Sequence, residues 1–422
     1  MSQQVQFYVG VDWASEKHDV WVTDDAGKRL GYRTFPHSGE GLSALCNWLV
    51  ATTNAGAEQI NVAIEVPHGP VVETLIDRRF VVWAINPKQL DRFRDRFTMS
   101  GAKDDSRDAE TMASALRTDG RAFRKLALAD PTLVELREWS RMAEDLTTER
   151  TRLANRMREQ LWRYYPQMLA VEKDVSNPWL LDLWQVVPTP AKAARVREAK
   201  IARVLKDNRI RRIDAAQVIE LLRAEPVRVA PGATEAAVAH IGALVERLRL
   251  VDRQLSNAHT QLDRLTGLLA GPAIADDGEE AAPGQVIEQR DAAILNSLPG
   301  VGRITLATLL AEAWDALQRR DYTALRALCG VAPVTKRSGK SRQVVRRHAC
   351  HPRLGNAVYH WARVATQCDA TSRAKYEALR QRGHSHGRAL RSIADRLLNV
   401  ACSMLRSGTL FNPSIAKLKT AC

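Results

Sequence analysis

The segment that most constrains this chain is its beginning, where three strand-like runs follow one another with little between them. In "VQFYVGVDW", Val5, Phe7, Val9 and Val11 alternate onto one face and the run ends at Asp12. "HDVWVTD" follows, then the turn "DAGK", then "RLGYRTF". Period-two alternation broken by a Gly-containing turn predicts an antiparallel meander. Residues 41–52 are helical in pattern, "INVAIE" is a short apolar strand ending at Glu65, and Pro67 and Gly69 interrupt the chain behind it. A helix near 70–78, the strand "FVVWAIN" and helical segments from Pro87 complete an α/β unit.

This element order matches the ribonuclease-H-like arrangement, and it spaces the acids informatively. Asp12 and Glu65 end strands that can lie side by side. "AKDDSRDAETMA" (102–113) adds Asp104, Asp105 and Asp108, with Lys103 and Arg107 between them. Asp105 and Asp108, three apart, share a helix face. Carboxylates from separate segments that converge at one sheet edge suit a hard cation, Mg²⁺ or Mn²⁺, and two such ions can serve phosphoryl transfer. Each acid alone also has an ordinary reading, as a strand end, an exposed edge residue or a helix cap.

From Leu133 to about Tyr165 the pattern is helical, with Leu136, Trp139, Ala143, Leu146, Arg150, Leu153 and Met157 stepping by three and four. Ile241, Leu244, Leu248, Val251, Leu255, Ala258, Leu262 and Leu265 continue such a stripe for more than three heptads, which predicts a coiled-coil seam. The two helices can pair with each other or with another subunit. The expected organisation is therefore an α/β domain over 1–125 and a helical, coiled-coil region over 126–270 with a small insert at 170–232. A flexible linker at 271–287 and a mostly helical C-terminal domain over 288–415 follow.

Charge points to a polyanion. The chain carries 62 Lys and Arg against 48 Asp and Glu, a formal +14. Tyr322 to Gln367 contains no acid but nine basic residues: Arg326, Lys336, Arg337, Lys340, Arg342, Arg346, Arg347, Arg353 and Arg363. Two motifs lie in or near this basic region. "LNSLPGVGRITLATLLAE" reads as helix, glycine turn, helix. It is either a helix-hairpin-helix element presenting the backbone around Gly300 and Gly302 to phosphate, or a plain helical hairpin. In "GVAPVTKRSGKSRQVVRR", Ser338 precedes Gly339 among Lys336, Arg337, Lys340 and Arg342, with Arg346 and Arg347 beyond. A serine there is a phosphate ligand or a nucleophile. His348, Cys350, His351, His384 and His386 fit no familiar zinc spacing. Six scattered cysteines, no apolar run long enough to span a bilayer and no basic-then-apolar leader predict a cytoplasmic, nucleoid-associated protein with no membrane partner.

The ordered motifs "YVGVDWASEKHDV", "AIEVPHG", "INPKQL", "KDDSRDA", "LNSLPGVGRITLATLLAE", "LCGVAPVTKRSGKS" and "HPRLGNAVYHWARVA" resemble the IS one-ten, or DEDD, insertion-sequence transposases and the related pilin-gene invertases. The resemblance spans essentially the whole chain. It implies a RuvC-like domain binding Mg²⁺ through Asp12, Glu65, Asp105 and Asp108, and a C-terminal domain with Ser338 as nucleophile. It further implies a site shared between protomers of a tetramer joined through the coiled coil, and in some members a bridge RNA pairing with target and donor DNA. Where the family has Lys-Thr-Asp, this chain has Lys103, Asp104 and Asp105. Ser341 is the rival nucleophile. The competing functions are a RuvC-like junction nuclease using metal-activated water and a non-catalytic nucleic-acid-binding protein.

Overall fold

A computed structural model describes residues 6–85, 87–94, 105–126, 130–271, 290–339 and 341–412, with the backbone alone at 87, 88 and 105. The chain divides into two compact units, Met1–Asp130 and Pro131–Cys422.

In the first unit the alternating runs become β1 (Phe7–Trp13), β2 (Lys17–Thr23) and β3 (Arg29–Pro36), an antiparallel meander. Helix α1 (Gly39–Thr53) follows, its first turn capped by Ser38, whose hydroxyl accepts from the Gly41 N–H at 3.0 Å. Strand β4 (Ile60–Ile64) lies parallel to β1, and α2 (Pro70–Asp77) starts behind Gly69, whose φ of +99° few other residues adopt. β5 (Val81–Ala84) continues the parallel pairing, α3 (Pro87–Arg94) and α4 (Asp105–Asp119) come next, and β6 (Arg124–Lys125) closes the sheet. The order β3-β2-β1-β4-β5-β6 is consistent with the ribonuclease-H-like arrangement; the two-residue β6 is too short to carry a sequence pattern.

The sheet has two differently used faces. Val9, Val11, Val20, Val22, Val62 and Ile64 are buried with Leu45 and Leu49 of α1 and Leu75 of α2 in one core. On the other face Ala63 packs with Met112, Ala115 and Leu116 of α4. Full burial of each aliphatic side chain stabilises by roughly 1.5–3 kcal/mol relative to exposure.

The second unit is mostly helical. α5 (Pro131–Tyr164) and α11 (Ala233–Ala270) bracket five short helices: α6 (Gln167–Val171), α7 (Pro178–Val186), α8 (Pro190–Arg195), α9 (Glu198–Asp207) and α10 (Ala215–Leu222). The two long helices pack along each other within the chain. Arg264 binds Glu135 near the start of α5, Arg247 meets Glu149, and Asp252 accepts from Arg150 Nε at 2.7 Å, so the helices run antiparallel. Ile241, Leu244, Leu248, Val251, Ala258, Leu262 and Leu265 are buried in this seam, which spends the heptad stripe inside one chain. On α5 Ser140 is buried, where it accepts from the Arg353 guanidinium at 2.8 Å, while the expected Trp139 is only half-buried. The expected linker lies almost wholly outside the described residues.

Beyond it come α12 (Asp291–Asn296), α13 (Arg303–Gln318), α14 (Tyr322–Leu328), a hairpin of β7 (Val334–Ser338) and β8 (Ser341–Val345), then α15 (Pro352–Cys368), α16 (Ala370–Gln381) and α17 (His386–Ser407). None of the described helices is long and apolar enough to cross a membrane.

Candidate active site

The first unit brings its acids to one edge of the sheet. Val11 and Ile64 are the last residues that β1 and β4 pair with each other, so Asp12 and Glu65 follow side by side where the two strands part. Tyr8, Gly10 and Asp12 alternate onto the face covered by α4. That helix lies against the backbone of Gly10: a Cβ built there would stand 1.8 Å from the Ala109 carbonyl oxygen and 2.9 Å from the Ala113 nitrogen. Only a missing side chain lets α4 approach so closely, and the approach carries Asp108, beside Ala109, toward the strand ends. Asp105 opens the same helix, but its side chain is outside the described residues, as is the whole of Asp104.

A residue that sequence reasoning missed stands among these acids. Arg94, at the end of α3, donates to Asp108 from Nε at 2.6 Å and from Nη2 at 2.8 Å. Burial alone would lower the guanidinium's pKa, yet Asp108, Asp91 and Glu65 together hold it above its ordinary value. Arg94 thus sits in the combined field of Asp108 and Glu65. A second missed feature is Asp19, directly across β1 from Asp12. Asp19 is buried and accepts from Thr34 Oγ1 at 2.6 Å and Tyr32 Oη at 2.5 Å, with Lys17 Nζ at 3.5 Å. Burial pushes its carboxyl up, and these partners outweigh that and hold it low. Their main partners, Tyr32 and Thr34 for Asp19 and Asp108 for Arg94, lie 13 to 15 positions away on other elements, so no local pattern announced them.

Among the described residues no group of three or more His, Cys, Asp and Glu is disposed to hold a metal ion. The donor chemistry nevertheless fits one. Asp12, Glu65 and Asp108 offer only oxygen atoms, and Asp108 already holds a cation, the Arg94 guanidinium, which Asp91 also binds.

In the second unit, Ser338 ends β7 at the tip of a strand hairpin within the C-terminal region that the sequence predicts to be mostly helical. Ser338 pairs with Ser341, Arg337 with Arg342 and Lys336 with Gln343. Gly339 turns the chain at φ +55°; Lys340, the other turn residue, is outside the described residues. Both serines share one face, and Arg337 and Arg342 face each other on the opposite one. Two like charges directly across a ladder repel, so an anion lying across this face would relieve the pair.

Two of the nine basic residues are not available to such a partner. Arg326 is bound to Asp395 at 3.0 and 2.6 Å, and Arg353 pairs with Glu312 and Glu144. The acids come from α17, α13 and α5, outside the acid-free stretch. Gly300 is likewise committed to packing, since at φ +80° a Cβ would meet the Ala365 nitrogen of α15 at 2.7 Å. Gly302, by contrast, leaves the first turn of α13 open, with nothing within 4 Å of its Cβ position. His351 accepts from the Leu354 N–H and faces Glu312, as a helix cap rather than a metal ligand.

The chain matches two family models. One, described as a transposase and carrying the DEDD domain of the IS110 group, covers residues 9–166; the other, "Transposase IS116/IS110/IS902 family", covers 292–377. The "Mini-circle putative transposase for IS117" of Streptomyces coelicolor is 33% identical over 399 residues, 93% of this chain and 92% of that protein. This chain belongs to the IS110 family of transposases. The "Putative transposase y4uE" of Sinorhizobium fredii is 66% identical over 216 residues, 51% of this transposase and 60% of that relative. The "Insertion element IS110 uncharacterized 43.6 kDa protein" of Streptomyces coelicolor is 27% identical over 97% of the chain and 96% of its own length. The transposase acts on DNA, and its DEDD domain points to a divalent cation.

Proposed function

We propose that this transposase cuts and rejoins DNA through a covalent phosphoseryl link, with Asp12, Glu65, Asp105 and Asp108 as ligands of Mg²⁺ and Ser338 as nucleophile. The observation that supports the reading is the position of Asp12 and Glu65 beside each other where β1 and β4 stop pairing, with α4, which carries Asp108, packed on the same strand at Gly10. When bound, the cation offsets charge on the phosphoryl oxygens and on the entering and leaving oxygens. The protein supplies the rest. Ser338 Oγ bonds to phosphorus, its proton passes to solvent, the phosphorus–deoxyribose oxygen bond breaks, and the released oxygen takes a proton. Rejoining runs the same bonds in reverse, so no nucleotide cofactor is needed. Lys336, Arg337, Lys340, Arg342, Arg346 and Arg347 hold the phosphates on either side, and the open first turn of α13 at Gly302 adds a backbone contact.

The acids and Ser338 lie in different compact units, which favours a site shared between copies in a tetramer. Guidance by a bridge RNA and association with the nucleoid belong to the same reading, supported by the basic surface and by the family. A nicked suicide substrate tests it. Wild type should form a denaturant-resistant protein–DNA adduct and Ser338→Ala none, while binding DNA within about twofold of wild type. Mixing Ser338→Ala with Asp12→Ala should restore strand exchange. An adduct that persists in Ser338→Ala, or maps to Ser341, overturns the nucleophile; cleavage without any adduct replaces it with hydrolysis by water.

A further inference from the structure

In the second unit a cavity of about 470 Å³ opens between the segment after β8, the first half of α15 and the start of α17. Its walls are of two kinds. Val331, Val358 and Pro352 give an apolar side, while Arg346 and Arg391 supply cations beside it. Arg388 stands near as well: burial lowers the Arg391 guanidinium's pKa, and repulsion from Arg346 and Arg388 lowers it further. Among the described residues no carboxylate forms an ion pair with any of the three, whereas Arg320, Arg326 and Arg353 of the same unit each have one. Arg346 and Arg391 line the cavity with Arg388 close by; Arg346 and Arg388 are exposed and Arg391 is half-buried, so the cavity presents a positive, unpaired rim suited to an anion.

The volume restricts that anion. It lies within the range of small-ligand pockets, and a duplex, whose major groove alone is ~12 Å wide, does not enter it. An apolar wall beside paired arginines fits a flat base with its phosphate rather than a bare phosphate ion. We propose that this cavity receives one unpaired nucleotide of the DNA strand, its phosphate on Arg346 and Arg391 and its base against Val331 and Val358. Asn356, also in the wall, supplies a donor and an acceptor for the base edge. The proposal rests on the DNA-cutting reading and adds to it a place on the strand. Arg346 lies five residues beyond Ser341, which pairs with Ser338, so at ~3.3 Å per residue the cavity is roughly 17 Å from the hairpin tip. That is about five stacked nucleotides at ~3.4 Å per strand step, and fewer if the strand is unstacked.

Fluorescence anisotropy of the full chain with labelled 12-nucleotide oligothymidylate, a hairpin duplex of equal length and oligouridylate tests the proposal. Deoxyadenylate and inorganic phosphate serve as competitors. Arg391→Ala should weaken oligothymidylate binding at least tenfold and duplex binding no more than about twofold. Gly387→Leu keeps every arginine and should do the same: the Cβ at 387 meets only Arg391 Nη1, at 3.5 Å, and the side chain fills the cavity mouth without straining the helix. Deoxyadenylate should compete with oligothymidylate at concentrations where inorganic phosphate does not. Equal losses on both DNAs, no effect of Gly387→Leu, or equal competition by phosphate overturns the nucleotide site; tighter binding of oligouridylate overturns its assignment to DNA. None of these measurements needs metal or Ser338. Their failure leaves the adduct test intact, and a failed adduct test leaves them standing.

Discussion

Arg94 grips Asp108 through two nitrogens at once, at 2.6 and 2.8 Å, on the acid that the family's motif assigns to metal. A divalent cation bound at Asp108 would compete with the guanidinium for those oxygens, so the proposed metal site predicts a weakened hold of Arg94. In Arg94→Gln, the metal-free protein should be less stable by about 1.5–3 kcal/mol, the scale of hydrogen bonds to charged groups. The rise in melting temperature caused by Mg²⁺ should then exceed that of wild type. A rise equal to or smaller than wild type's would mean that Asp108 serves Arg94 alone.

Loss of any one acid should stop cleavage without unfolding the chain. Asp12→Ala, Glu65→Ala and Asp108→Ala each remove an oxygen donor from the sheet edge. Gel-based cleavage in Mg²⁺ should fall to background while circular dichroism and DNA binding hold. Near-normal recombination by Asp12→Ala would remove that residue from the metal site.

Gly10→Ala addresses the spacing of the same site. The added carbon would lie 1.8 Å from a backbone oxygen, so α4 must move. Overpacking of this kind costs typically 1–3 kcal/mol. The melting temperature should drop, and cleavage should fall further than in a surface variant of equal stability. Unchanged cleavage at reduced stability would show that the position of α4 is not critical.

Arg337 and Arg342 should contribute to DNA affinity in a way that salt reveals. On duplex DNA every phosphate that a cation neutralises adds ~0.9 to the magnitude of the log–log salt slope, so the double alanine variant should lower it by about 2. Arg353→Ala, which breaks the ion pairs with Glu312 and Glu144, should lower stability and leave the slope unchanged. The opposite pattern would exchange the two assignments.

The first unit should weaken in mild acid. His18 is fully buried, its Nε2 lies 2.9 Å from His37 Nδ1, and its own Nδ1 has no hydrogen-bond partner among the described residues. Burial pushes its imidazole below the ordinary 6.5, and His37 pushes it further, against a smaller pull from Asp19. Because the folded value is the lower one, the unfolded chain takes up the proton first. The stability tied to the neutral ring is complete above about pH 6.5 and is lost as pH falls below it. Melting curves from pH 7.5 to 5.5 should show this decline, and His18→Phe should flatten it. An equal decline in His18→Phe would place the sensitivity elsewhere.

The parts legible in the sequence are those whose burial is periodic. Val9, Val11, Val20 and Val22 alternate because one sheet face is covered, and the stripe from Ile241 to Leu265 repeats because one helix face is. The hairpin was hidden for the converse reason: from Val334 to Val345 neither face is buried, so nothing alternates. Arg326 and Arg353 looked like ligands for DNA because their acids lie 69 and 41 or more positions away. Arg94 was silent for a similar reason, since the carboxylate it binds, Asp108, lies 14 positions on and on another helix.

The antiparallel pairing of α5 with α11 also sets a timetable. Arg264 is made 129 residues after the Glu135 it binds. At ~5–20 residues per second, synthesis leaves the apolar stripe of α5 without its mate for on the order of ten seconds. The short helices from α6 to α10 are made in that interval and condense first, on contacts close in sequence. A neighbouring chain at the same stage of translation carries the same uncovered stripe. The seam that closes within one chain therefore stays open during synthesis until residues 233–270 arrive, a window set by the length of chain between the two helices.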